Sequence, residues 1–82
     1  AGEGGAVQLQ QDARVFAALV DGDDAVMHAL AAGRRAYVHV ARGEVEVNGA
    51  VLGPGDALRI EGETAVTLAR GRAAEVLLFD LP

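Results

Sequence analysis

Two alternating segments joined through an Asn-Gly pair restrict the fold of this chain more than any other feature. They lie in residues 38–56, VHVARGEVEVNGAVLGPGD. In residues 44–47 the valines fall on one side and the glutamates on the other, which is the pattern of a half-buried strand. Asn48 and Gly49 both tolerate the positive φ of a type I′ turn, so they predict a β-hairpin. We also expect Arg42 and Gly43 to form a turn, and residues 53–56 to form a corner.

Other segments of the chain show the same pattern of short apolar stretches separated by turn residues. Strand patterns occur at residues 7–10, 14–20, 36–41, 57–60, 65–69 and 75–79, with turn residues at 21–24, 61–63 and 70–73. Residues 25–32 stay ambiguous, because their composition and flanking residues allow a helix while their length and spacing favour a strand. Short strands with turns every eight to twelve residues predict an all-β sandwich or barrel.

The length of 82 residues fits a single domain. We expect residues 1–5 to be a flexible lead-in or linker remnant and residues 6–82 to form the domain. The chain opens AGEGG without methionine, which indicates processing or a piece of a longer protein. It has no cysteine, so it forms no disulfide and no thiolate metal site, and we expect a cytoplasmic protein.

Charge and hydropathy exclude two classes of partner. The net charge is −5, with seven arginines and no lysine, and this balance repels nucleic acid backbones. No apolar run approaches the length that spans a bilayer, and the start lacks the pattern of a signal peptide. We therefore expect neither a nucleic acid nor a membrane as partner.

Few residues are candidates for metal chemistry. His28 and His39 are the only histidines, and their spacing matches no local metal motif. We interpret both as structural, and the alternative is a degenerate metal site of His28, His39 and a nearby acid. Asp21, Asp23 and Asp24 surround a glycine, but they lack the spacing and the final glutamate of a calcium loop, so they predict a turn.

Candidates for other chemistry are also few. Arg34, Arg35 and Arg42 are interpreted as solvated surface residues, with a small basic patch for an acidic partner as the alternative. Serine and cysteine are absent, and Thr64 and Thr67 have no base nearby in the sequence, so nucleophilic catalysis has no candidate. Residues 53–55 lack the lysine of a phosphate-binding loop.

The segment RGEVEVNGAVLGPGD resembles the central hairpin of a cupin. The longer string from Gln11 to Gly49, with the terminal LLFDLP, resembles the C-terminal cupin of pirin-like bicupin proteins. That family includes bacterial quercetin 2,3-dioxygenases, and the resemblance covers nearly the whole chain from about Val7. It implies an all-β fold, a small cupin-type jelly-roll barrel or sandwich of antiparallel strands.

The resemblance also indicates where cupin metal ligands would lie. Ala36 takes the place of the glutamate of the first cupin motif, and its histidine places fall within residues 29–32, which read ALAA. In the second motif, Glu61 stands where a proline is expected and Val66 where a histidine is expected. Alanine, leucine and valine side chains offer no lone pair to a metal. We expect no catalytic, cofactor-binding or metal-binding residue in this chain.

The resemblance implies that the catalytic metal of such proteins lies in the N-terminal cupin. We therefore expect a metal-free C-terminal cupin domain with a structural or interaction role. It would pack on a catalytic N-terminal cupin or self-associate, and the isolated domain would expose an apolar patch. The alternatives are a part of a quercetin 2,3-dioxygenase-type oxidoreductase, or a small-molecule-binding barrel.

Overall fold

The computed structural model describes residues 13–82, which form antiparallel strands and no helix. The ambiguous segment 25–32 is therefore a strand and a turn. The expected strand at residues 7–10 and the lead-in at residues 1–5 lie outside the described residues. Residues 13–82 contain no helix that could cross a bilayer. The strands are β1 (Arg14–Val20), β2 (Ala25–Ala29), β3 (Arg35–Val47), β4 (Ala50–Leu52), β5 (Ala57–Glu61) and β6 (Ala65–Leu81).

Two long strands, β3 and β6, form the centre of the fold and pair with each other along most of their length. The first part of β3 pairs with β5 and the last part of β6 pairs with β1, which makes one half-sheet in the order β1-β6-β3-β5. The second part of β3 pairs with β4 and the first part of β6 pairs with β2, which makes the other half-sheet, β2-β6-β3-β4. We call these the first and the second half-sheet. The pairings seen in residues 13–82 do not close into a complete barrel.

The prediction of a turn at Arg42 and Gly43 was wrong, because β3 continues through these residues. The pairing of β3 with β6 shifts register at this place, and Gly43 has a φ of 74°. A side chain at Gly43 would collide with the backbone oxygen of Ala73. Positive φ and close approach of two backbones are typical of β-bulges as well as turns. The glycine therefore bends a continuous strand from one half-sheet into the other.

The expected turn at residues 70–73 was wrong for the same reason. β6 runs without interruption through this segment, although Arg70 and Ala73 have φ values of 51° and 48°. Gly71 is buried, and a side chain there would collide with the backbone oxygen of Val20. Both long strands thus bend at the same level of the fold.

The hairpin turn at Asn48 and Gly49 is confirmed. Their φ values are 47° and 88°, as a type I′ turn requires. The Asn48 side chain also joins the turn to β6: its Nδ2 donates to the Ala65 carbonyl at 3.1 Å and its Oδ1 accepts from the Thr67 N–H at 2.7 Å. This asparagine therefore fixes the turn and its position on the neighbouring strand.

Two connections, residues 21–24 and 53–56, are turns stabilised by aspartate side chains. Asp24 Oδ2 accepts from the Asp21 N–H at 3.2 Å, and Asp21 Oδ1 accepts from the Ala73 N–H at 2.9 Å. At the 53–56 corner, Asp56 Oδ2 accepts from the Gly53 N–H at 2.8 Å. Aspartate side chains bind nearby backbone amides in this way in many turns. The expected turn at residues 21–24 and the expected corner at residues 53–56 are both confirmed.

The core lies between the inner faces of the two half-sheets. In β3 the side chains of Ala36, Val38 and Val40 point inward, while Tyr37 and His39 point outward. Beyond the bend, Val45 and Val47 point into the same core. Among residues 13–82 the buried apolar residues are Val20, Leu30, Ala36, Val38, Val40, Val45, Val47, Leu52, Ile60, Val66, Leu68, Ala74, Val76 and Leu78. One aliphatic core thus serves both half-sheets, as expected from a composition poor in aromatic residues.

Candidate functional site

A polar cluster lies at the edge of this aliphatic core. Asp80 is on the last part of β6, in the same inward phase as Val76 and Leu78, and it is only 3% exposed. His28 on β2 also points inward, and Arg34 lies in the turn before β3. The three side chains come from separate parts of the chain and meet inside the fold.

Both carboxylate oxygens of Asp80 have a partner in this cluster. Arg34 Nε donates to Asp80 Oδ1 at 2.6 Å, and His28 Nε2 lies 2.7 Å from Asp80 Oδ2. Arg34 Nη2 also donates to the Asp80 backbone oxygen at 3.1 Å. The His28 ring contacts the Phe16 ring of β1, with centroids 4.8 Å apart. The cluster therefore connects β1, β2, the turn before β3 and the end of β6.

The environment of Asp80 lowers its pKa. Burial raises the pKa of this carboxyl, but the hydrogen bonds and positive charges of Arg34 and His28 oppose burial and hold the pKa below its ordinary value. Asp80 is therefore an anion at neutral pH. A carboxylate that is ionised and bonded through both oxygens is suited to a structural role and poorly suited to proton transfer.

The positions that the cupin resemblance assigns to metal ligands carry hydrocarbon side chains around this cluster. Ala36 and Val66 are each 1% exposed and point into the core. Ala36 is paired in register with Asp80, and Val66 with His28. Within residues 29–32 only Leu30 is buried, and the alanines are exposed. These side chains provide no metal donor, so the residues present do not fit the metal site of a catalytic cupin.

The two histidines lie on opposite sides of the sheet. His28 points into the core and contacts Asp80, whereas His39 lies on the outer side of β3 beside Leu77 of β6. The alternative of a joint site of His28, His39 and an acid is therefore wrong. Within the part of the chain that the structure describes, no group of three or more histidine, aspartate or glutamate side chains could hold a metal ion.

The interpretation of Arg34 as a solvated surface residue was also wrong. Arg34 is 20% exposed and binds Asp80, while Arg35 is exposed and Arg42 forms an exposed ion pair with Glu75 at 2.7 Å. Sequence reasoning missed Asp80 as the centre of a cluster. One signal in the sequence could have indicated it: Asp80 stands at a position of an apolar strand that points inward. A carboxylate buried in this way needs a cationic partner.

Comparison with known proteins identifies the family of this chain. The family described as the quercetinase C-terminal cupin domain matches residues 1–81. The quercetin 2,3-dioxygenase of Escherichia coli K12 is 35% identical over 78 residues, which cover 95% of this chain and 34% of that protein. A pirin-like protein of Caulobacter vibrioides is 35% identical over 75 residues, which cover 92% of this chain and 32% of that protein. The chain thus spans about a third of the length of these relatives.

Solved structures support the same fold. The crystal structure of the E. coli bacterial pirin YhhW in complex with nickel(II) matches with a TM-score of 0.83 and 36% identity, over 88% of this chain and 31% of that chain. A cupin domain of a transcriptional regulator from Enterobacter cloacae matches with a TM-score of 0.75 and 18% identity, over 93% of this chain and 85% of that chain, which supports the fold alone. With a family match over nearly its whole length, the chain belongs to the C-terminal cupin domains of pirin-like quercetinases.

Proposed function

We propose that this domain is a metal-free cupin with a structural role, which packs on a catalytic domain of a pirin-like protein. One observation carries the proposal: two interior positions that the cupin resemblance assigns to metal ligands hold hydrocarbon side chains, and the buried carboxylate beside them in register is held in an ion pair. The two side chains are Ala36 and Val66. Asp80, the buried carboxylate nearest to them in register, is bound by Arg34 and His28.

The charge of Arg34 also opposes a metal ion at Asp80. Arg34 Nε lies 2.6 Å from Asp80 Oδ1, so the guanidinium charge would repel a cation bound to this carboxylate. The site would also need further nitrogen or oxygen donors at about 2 Å. Residues 13–82 provide no group of three such side chains. An arginine in this place therefore favours a stable core over metal binding.

A second candidate is that this domain forms part of a quercetin 2,3-dioxygenase-type oxidoreductase. The identity of 35% with the E. coli quercetin 2,3-dioxygenase favours it. Under this candidate the oxygenation takes place in another part of a longer protein, and this domain supports that part. The two candidates differ in the activity of the whole protein and agree on the role of this domain.

Metal retention tests the proposal on the purified chain. The chain is incubated separately with iron(II), nickel(II), copper(II) and zinc(II), dialysed, and examined by elemental analysis and by an assay of quercetin oxygenation. We expect no retained metal and no oxygenation. One equivalent of a metal that survives dialysis and is lost in His28→Ala would refute the proposal. His39→Ala is the control, because His39 lies on the outer side of the sheet.

A further inference from the structure

The turn between β3 and β4 holds the only asparagine of the chain, Asn48, and the residue after it is Gly49. Asparagine is one of the residues that heat damages most readily. Its side-chain amide is lost when the backbone nitrogen of the next residue attacks Cγ, and a glycine at that place has no side chain to hinder the attack. The pair that forms the hairpin turn is therefore also susceptible to a spontaneous covalent change.

This change is deamidation. Hydroxide takes the proton of the Gly49 N–H, the nitrogen forms a bond to Cγ of Asn48, and the Cγ–Nδ2 bond breaks. Nδ2 takes up a proton from water and leaves as ammonia, and the product is a five-membered succinimide ring. Water then opens the ring at one of its two carbonyl carbons. The result is aspartate, or isoaspartate, in which the main chain runs through Cβ and Cγ.

Water has access to this turn. Asn48 and Gly49 are both exposed, and a side chain placed at Gly49 would meet no atom within 4 Å beyond its chain neighbours. Within residues 13–82, the pair is therefore not protected by other parts of the fold that cover it. Protection has to come from the conformation of the turn and from the hydrogen bonds of Asn48.

The conformation of the turn keeps the two reacting atoms apart. The φ values of Asn48 and Gly49, 47° and 88°, are those of a type I′ turn, whose first central residue has a ψ of about 30°. The torsion from Cβ to the next backbone nitrogen is about 120° larger than ψ, so it is about 150°, whereas ring closure needs a torsion near zero. The Gly49 nitrogen thus points away from the side chain that it would attack.

Hydrogen bonds to β6 hold the side chain in this arrangement. Asn48 Nδ2 donates to the Ala65 carbonyl at 3.1 Å, and Oδ1 accepts from the Thr67 N–H at 2.7 Å and from the Thr67 hydroxyl at 3.1 Å. β6 and β4 lie on opposite sides of β3, so the side chain is bound to one neighbour while Gly49 leads into the other. Cγ can approach the Gly49 nitrogen only after these bonds break.

We propose that Asn48 is a site of spontaneous deamidation that becomes reactive when the tip of the β3–β4 hairpin leaves β6, and that the product binds β6 more weakly. An aspartate cannot donate to the Ala65 carbonyl, so two acceptor oxygens would face each other. Its charge would lie two positions from Glu46 in a chain with a net charge of −5. Isoaspartate adds an atom to the main chain, which a two-residue turn does not accommodate. The modified residue therefore records that the hairpin tip has opened.

Mass spectrometry of the purified chain tests the proposal. The chain is kept at mildly alkaline pH, folded or unfolded in urea, and then cleaved after arginine. Deamidation adds one dalton to the peptide 43–59, in which Asn48 is the only side-chain amide. We expect deamidation to be at least about tenfold slower in the folded chain, which corresponds to about 1.4 kcal/mol, because local opening has to come first.

Matched threonine substitutions test the role of the hydrogen bonds. Thr67→Val removes the hydroxyl that donates to Asn48 Oδ1, and it keeps the backbone N–H and a β-branched side chain. We expect deamidation of the folded chain to become about fivefold faster, which corresponds to about 1 kcal/mol for one hydrogen bond. Thr64→Val is the control, because the hydrogen bonds of the Asn48 side chain within residues 13–82 go to Ala65 and Thr67. Its rate should equal that of the wild type.

Asn48→Asp reproduces one of the two products. We expect this variant to unfold at a lower urea concentration than the wild type, as should wild-type chain aged until part of it is deamidated. Four results would overturn the proposal: no mass change in the unfolded chain, equal rates in the folded and unfolded chain, equal rates in Thr67→Val and Thr64→Val, or an Asn48→Asp variant as stable as the wild type. Metal takes no part in this reaction, so the result of the metal test above leaves these outcomes unchanged.

Discussion

Replacement of Asp80 by asparagine should remove a large share of the stability of this domain. The side chain keeps its volume but loses its charge, and an amide offers one acceptor oxygen where Arg34 and His28 now have two. A hydrogen bond to a charged group contributes about 1.5–3 kcal/mol to the free energy of unfolding. Because the Arg34 and His28 side chains are 20% and 23% exposed, water compensates in part. We expect a loss of about 3 kcal/mol, at the lower end for a broken buried ion pair.

Urea unfolding followed by far-ultraviolet circular dichroism measures this loss. A domain of this length has a total stability of roughly 4–12 kcal/mol. The loss of about 3 kcal/mol should also lower the melting temperature in a thermal scan by about 12–24 °C. Glu75→Gln is the matched control, because it breaks an ion pair of similar length whose side chains are 75% and 37% exposed. Exposed pairs contribute at most about 1 kcal/mol. Equal losses in the two variants would contradict a structural role of the buried cluster.

The lowered pKa of Asp80 also predicts the pH dependence of stability. A carboxyl whose pKa is lower in the folded than in the unfolded state stabilises the fold above the unfolded pKa, about 3.9 for aspartate. This contribution is lost as the pH falls below that value and through the lower folded pKa. We therefore expect the stability of the wild type to exceed that of Asp80→Asn by a constant amount near neutral pH, and the difference to shrink below about pH 4. A difference that stays constant down to pH 2 would argue against this assignment.

Three further predictions concern the bend, the hairpin and association. Gly43→Ala should cost at least about 2 kcal/mol in urea unfolding, because its side chain would meet the Ala73 backbone, whereas Gly22→Ala, with φ 61° and open space, should cost about 1 kcal/mol. Asn48→Ala should cost about 1–2 kcal/mol, since the turn loses a residue suited to positive φ and its bonds to β6. Sedimentation of the isolated chain should show association only at high concentration. A strict monomer at high concentration would contradict the expected exposed apolar patch.

Local patterns in the sequence predicted those parts of the fold that depend on neighbouring residues. The alternation of residues 44–47 and the positive φ of Asn48 and Gly49 are local properties, and they gave the hairpin correctly. Gly43 and Gly71 were misread because a glycine allows a turn and a bulge equally well. The choice depends on the strand that lies alongside, and this pairing joins residues about thirty positions apart.

The candidate site shows the same limit more strongly. The empty ligand positions Ala36 and Val66 could be located from the sequence through the cupin resemblance, and both point into the core. The cluster of Asp80 could not be assembled, because Arg34 and His28 are 46 and 52 residues away along the chain. The alternation of apolar residues in β6 indicates that Asp80 points inward and therefore needs a cationic partner. It does not indicate which of the seven arginines is that partner.

The last part of β6 has apolar side chains on both sides of the sheet. Its inward side chains include Leu78 and Asp80, and its outward side chains include Leu77 and Phe79. Successive side chains of a strand point to opposite sides and share one backbone. If the inner side chains lose their packing and the strand becomes mobile, the outer side chains therefore become mobile as well. The ion pair of Asp80 with Arg34 therefore stabilises the last part of β6. Within residues 13–82, the cation that pairs with Asp80 thus allows a charged residue to lie in the inward phase of a strand whose inward neighbours Val76 and Leu78 are apolar.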